Sequence, residues 1–141
     1  MPVVDASLVI DWIVAGTDPT LPTMIVRDRL AGEGTDLLAP RLLLLEVASG
    51  LLRGVRRRLW TGAEADEGFG VLQKLPVRLV DDFRYLDRAW ELARRYDNHP
   101  IYDMIYVAVA ERAATQLITA DQVLSQRLAH LGWVIAANAV H

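Results

Sequence analysis

Short apolar runs alternate along the chain with longer amphipathic stretches, the pattern of strands separated by helices. Val3-Val4 leads into Asp5, and Leu8 to Val14 reads as a short helix stopped by Gly16. The longest irregular piece is GTDPTLP, from Gly16 to Pro22. Thr23 to Leu30 predicts a second helix, ended by Gly32 and Gly34, and Leu37-Leu38-Ala39 a second strand. Pro40 suits the first turn of a long helix running to about Leu59, because its missing N–H is not needed there. Thr61 with Glu64 gives the Thr-x-x-Glu signature of a further helix start. Val77 to Val80 is a strand candidate, Tyr85 to Tyr96 a helix, and Asn98-His99-Pro100 a stop-and-restart signal. Ile101 to about Thr115 is then helical, Gln116 to Thr119 a strand, Val123 to His130 a helix, and Trp133 to Ile135 a last strand. Such alternation predicts an α/β fold, with a mainly parallel sheet covered on both faces.

Composition narrows the class. At 141 residues, 52% of them hydrophobic, the chain suits one domain over 1–141 with one continuous core. No repeat, linker or low-complexity tract interrupts it. With no cysteine, neither a disulfide frame nor a thiolate metal site can form. The N-terminal stretch carries Asp5 and Asp11 and lacks a basic leader, which argues against a signal peptide, and no apolar run approaches the roughly 18–20 residues needed to span a bilayer. A cytoplasmic protein with no membrane association is expected. The net charge of -3 excludes a strongly basic, sequence-independent nucleic-acid binder. Even so, fourteen of the fifteen cations are arginine, and Arg53, Arg56, Arg57 and Arg58 crowd one segment. Arginine suits bidentate phosphate contacts, although these four also fall where a helix C-terminus favours cations.

Four acids stand out from this background. In open α/β sheets the functional crevice lies beyond the carboxyl ends of the strands. Asp5 closes the first strand and Asp121 comes just after Leu117-Ile118-Thr119, so both should project from one edge. Each could equally cap the helix that follows, with Ser7 and Thr119 as capping or binding neighbours. Asp103 is the only charged residue in PIYDMIYVAVA, a stretch apolar enough to be buried on most sides. It needs a partner there, or it draws on the backbone N–H groups of the first helical turn. Glu46 is the only acid in LLLLEVA, with Leu42, Leu43, Ser49 and Gly50 on its helical face and Arg53 as a possible ion-pair partner.

Taken together the four are harder to explain as ordinary surface. Carboxylates about 4–5 Å apart repel by about 3–4 kcal/mol per pair at an effective dielectric near 20, so a cluster needs protons or a cation. Oxygen ligands without cysteine point to magnesium or manganese, whereas zinc would recruit histidine. His99, His130 and His141 show no ligand spacing, and His99 reads as a loop residue near Asp103 that could touch substrate.

At these residues the chain resembles the PIN-domain nucleases, and within them the VapC toxins of toxin–antitoxin pairs. The matching pieces are VVDAS with Trp12 shortly after, EVASGL from Glu46, YDMIYVAVAE from Tyr102, and LITADQVL from Leu117. Four weak motifs in register over nearly the whole chain make a strong signal. The resemblance implies a three-layer α/β/α sandwich, with Asp5, Glu46, Asp103 and Asp121 as the acidic quartet, supported by Thr119 and Ser7. It also implies a homodimer and a cognate VapB-like antitoxin whose C-terminal segment blocks the groove. The activity implied is hydrolysis of RNA phosphodiesters with Mg2+ or Mn2+, held chiefly by Asp5 and Asp103, while Glu46 and Asp121 complete the shell or position the water. Arg53, Arg56, Arg57 and Arg58 would bind flanking phosphates. Ser49, where the family often has asparagine, and Gln122, where some relatives add an acid, depart from the pattern.

Other classes fit less well. A phospho-receiver domain needs an acid pair after the first strand and a late lysine, but Ala6 follows Asp5 and Lys74 is misplaced. A haloacid-dehalogenase-type phosphatase needs Asp-x-Asp, and Asp5-Ala6-Ser7 lacks it. The remaining rival keeps the fold and makes it an RNA- or protein-binding module without turnover.

Overall fold

A computed structural model of the protein describes residues 1–140; His141 lies outside them. Five short strands, β1 (Val3–Val4), β2 (Leu37–Pro40), β3 (Val77–Val80), β4 (Leu117–Thr119) and β5 (Val134–Ala136), form one sheet in the order β3-β2-β1-β4-β5. Every pairing is parallel, with Val3 opposite both Leu38 and Leu117. The helices are α1 (Ala6–Ile13), α2 (Pro22–Glu33), α3 (Leu42–Arg56), α4 (Gly62–Lys74), α5 (Leu86–Arg95), α6 (Ile101–Arg112) and α7 (Gln122–Arg127).

The expected α/β/α architecture is what the elements build. Because β1 is central and covered on both sides, Val3 and Val4 are fully buried, and a two-residue strand suffices. On one side α1 packs with α2, α3 and α4, while α5 and α6 pack together, α6 lying against β1, β2 and β4. Met104 to Ala110 are all buried, which explains why α6 has no polar stripe in its middle. Among the described residues no helix is long and apolar enough to cross a membrane.

Several boundaries differ from the sequence expectation: α2 runs on through Gly32 to Glu33, α6 stops at Arg112 and α7 at Arg127, and two further differences have clear causes. Pro40 is the last residue of β2, paired with Val80, not the first turn of α3. A proline at a strand end removes no needed ladder bond, and it forces Ala39 before it into extended conformation. α3 also ends at Arg56, short of Leu59, because Trp60 folds back on the helix. Its indole donates to the Leu51 carbonyl at 3.0 Å, and its ring lies so close to Gly54 that a Cβ there would sit 2.0 Å from it. Thr61 and Glu64 form the reciprocal capping box that opens α4.

Candidate active site

All five strands run the same way, so their carboxyl ends share one edge. There a cleft of about 590 Å³ is lined by Asp5, Ser7, Glu46, Ser49, Arg53, Tyr102, Asp103, Tyr106 and Asp121, among others. The four acids singled out from the sequence therefore meet, each from a different element. Asp5 caps α1 directly after β1, Glu46 lies one turn into α3, Asp103 is in the first turn of α6, and Asp121 caps α7 after β4. The capping and clustering readings of Asp5 and Asp121 are both correct, since one oxygen of each serves a helix N-terminus.

Asp5 is the most confined, at 7% exposure. Ser7 donates its backbone N–H and its hydroxyl to Oδ1, and the Thr119 hydroxyl donates to Oδ2. Both hydroxyls accept in turn from the β4–α7 turn: Ala120 N–H to Ser7 Oγ at 2.9 Å, and Asp121 N–H to Thr119 Oγ1 at 3.0 Å. Two relays thus tie the end of β1 to the end of β4. Burial pushes the Asp5 carboxyl up to about 6, against the pull of the Ser7 and Thr119 bonds, and the Asp103 charge adds to the rise.

Glu46 does not pair with Arg53, as its spacing had suggested. Its Oε1 accepts from the Tyr106 hydroxyl at 2.7 Å, and no ion pair joins Glu46 to Arg53 among the described residues. Nor is Glu46 enclosed by core side chains, because Leu44 and Leu45 are exposed and Leu45 helps to wall the cleft. Partial burial raises its carboxyl, with Tyr106 opposing and the charges of Asp103, Asp5 and Asp82 adding to it. Tyr106 itself is 1% exposed, and its hydroxyl is driven well above the ordinary range by burial and then by the Glu46 charge.

His99 lies in the loop between α5 and α6, as expected, but it does not line the cleft. It is 5% exposed and its Nε2 lies 2.6 Å from Asp103 Oδ2. Asp103 keeps 30% of its side-chain surface open to the cleft. Of the four arginines, only Arg53 lines the cleft; Arg56, Arg57 and Arg58 are exposed beyond it at the end of α3.

Tyr106 and Asp82 were missed in the sequence. Tyr106 falls three residues after Asp103 on the same helix face, a polar-tipped aromatic in a run otherwise apolar. Asp82 follows β3 closely, the same placement that singled out Asp5 and Asp121, and its Oδ1 is the only buried side-chain nitrogen or oxygen without a hydrogen-bond partner among the described residues. Burial of like charge together with an all-oxygen donor set suits a hard divalent cation. Among the described residues, however, no group of three or more acids or histidines is arranged to hold an ion by itself.

Residues 3–129 match the PIN domain family. The chain is 34% identical over 124 residues to a protein named Ribonuclease VapC3 from Mycobacterium tuberculosis (strain CDC 1551 / Oshkosh), covering 88% of this chain and 85% of that one. The protein of the same name from strain ATCC 25618 / H37Rv matches over the same extent at the same identity.

Proposed function

The chain belongs to the PIN-domain family, and from that premise we propose that it is a metal-dependent endoribonuclease, the toxin of a toxin–antitoxin pair. One observation carries this reading: four acids from four separate elements line one cleft, where Asp5 and Glu46 are raised by burial and by each other's neighbours. Among the described residues none of the four pairs with an arginine.

Asp5 and Asp103 would hold Mg2+ or Mn2+, with Glu46 and Asp121 completing the shell or positioning water. When bound, the cation supplies charge against the phosphate and activates the attacking water. The chain's own residues do the rest. Ser7 and Thr119 keep both Asp5 oxygens directed and leave it without a neutralising partner. Tyr106 fixes Glu46 by one oxygen and leaves the other uncommitted. Arg53 at the cleft, with Arg56, Arg57 and Arg58 further along α3, would bind flanking RNA phosphates, which reconciles a net charge of -3 with an RNA substrate. Residues 1–141 would act as one domain, in the cytoplasm, as a homodimer inhibited by a VapB-like antitoxin.

The test uses purified protein stripped of antitoxin. Single-stranded RNA should be cut in Mg2+ or Mn2+, with 5′-phosphate products and full inhibition by chelator. Mn2+ should raise the melting temperature in proportion to site occupancy. Asp5→Ala or Asp103→Ala should lower cleavage by about 10³-fold or more while the protein stays folded. Cleavage surviving both chelation and Asp5→Ala would sink the mechanism. RNA binding without turnover in either metal would favour the binding-module reading.

A further inference from the structure

We infer that His99, locked by Arg127, is the positioning residue that aims Asp103 into the cleft. The inference rests on the nuclease reading above and goes on to ask what orients its acids.

The His99 ring has both nitrogens engaged. Arg127 Nη1 lies 2.8 Å from Nδ1, and Nε2 lies 2.6 Å from Asp103 Oδ2. A guanidinium has only donors, so Nδ1 must accept. The ring proton therefore sits on Nε2 and is donated to Asp103. One carboxylate oxygen is thereby pinned, while Oδ1 has no protein partner among the described residues and stays available on the cleft side, where Asp103 is open. Orientation of a ligating carboxylate by such an outer hydrogen bond is a general way to set both its aim and its affinity.

The backbone around His99 supports the same role. Asp97 and Asn98 both adopt left-handed conformations, at φ 61° and 56°, and turn the chain so that His99 faces inward. Its N–H is held by the carbonyls of Ala93 and Tyr96. His99 does not line the cleft and is buried, so it has no route to substrate. Its other neighbour is informative: Arg127 ends α7, the helix that Asp121 caps. A single short helix thus sets Asp121 directly from its first turn and Asp103 through the ring from its last.

The experiment measures Mn2+ binding by calorimetry on chelator-treated full-length protein, alongside steady-state cleavage of single-stranded RNA. His99→Ala should weaken Mn2+ binding about 10-fold or more and lower kcat similarly, with KM for RNA little changed. His99→Gln should recover most of both, because its amide carries one acceptor and one donor at nearly the spacing of the two ring nitrogens. Arg127→Met should give a smaller loss in the same direction. Nitrogen NMR of the wild-type ring at neutral pH should show the proton on Nε2. Unchanged Mn2+ affinity and kcat in folded His99→Ala, a glutamine variant no better than alanine, or a proton on Nδ1 would each overturn the inference. Should His99→Ala fail to fold, the glutamine and Arg127 variants decide. Wild-type protein that neither binds Mn2+ nor cuts RNA would overturn the nuclease reading, and this inference with it.

Discussion

Helix α6 carries a carboxylate near each end, and the protein treats the two in opposite ways. Glu111, near the C-terminal end, takes bonds at 2.7 and 2.9 Å from the Arg88 guanidinium, which holds it below the usual carboxylate range. Asp103, near the N-terminal end, receives one bond from an imidazole, and its neighbours across the cleft receive theirs from a phenol and two aliphatic hydroxyls. An arginine both orients and neutralises a carboxylate; an uncharged donor only orients it. At the outer end of α6 the negative charge is spent inside the protein, whereas in the cleft it is aimed and left outstanding.

The strongest way to break this comparison is to delete an uncharged donor. Tyr106→Phe keeps the buried ring and removes the hydroxyl from Glu46, and should lower RNA cleavage about 10–100-fold. The lost bond to a charged acceptor should also cost about 1.5–3 kcal/mol of stability. Glu111→Gln, the matching change at the other end, should leave cleavage within about twofold and alter stability by less than about 1 kcal/mol. Equal losses of activity in the two variants would erase the distinction.

Acidity sharpens it next. The Asp5 carboxyl is raised in the folded state from 3.8 to about 6, so its protonated form is favoured by folding. Its contribution is fully present below about pH 4 and is lost as pH rises through about 6, a loss of about 3 kcal/mol. Glu46 acts in the same direction and Glu111 in the opposite one, its contribution fading as pH falls. Denaturant unfolding in chelator between pH 4 and 7 should show the loss, and Asp5→Asn should flatten it. An unaltered pH slope in that variant would mean that the strain lies elsewhere.

The smallest effect is expected furthest from the acids. Replacing Arg56, Arg57 and Arg58 by alanine should weaken RNA binding several-fold and reduce its salt dependence, with kcat at saturating RNA preserved. A kcat loss as large as that of Tyr106→Phe would mean that these arginines reach the reacting phosphate.

Most of the fold was legible in the sequence because strand ends and helix starts carry local chemistry. Thr61 with Glu64 marked α4 by itself, and the alternation of β-like and helical runs implied parallel strands. Pro40 misled because a proline satisfies a helix start and a strand end equally well, and only its pairing with Val80 decides. The helix end at Arg56 depends on Trp60 reaching back over Gly54, a contact without periodicity. Of the site, the four acids could be found because each is anomalous where it stands. What holds them was not legible: Tyr106 meets Glu46 across 60 residues and Arg127 meets His99 across 28, and such pairs exist only once the layers have packed.

The relay from Thr119 to Asp5 joins positions 114 apart in the chain, and β1 has neighbours only from β2 on one side and β4 on the other. Loop closure over such distances is slow and entropically opposed. The cleft therefore depends on the long-range closure of β4 against β1. A chain interrupted before β4 already holds Asp5, Glu46 and Asp103 but lacks Thr119 and Asp121, so the cleft has all four acids only once the chain past β4 has joined the sheet.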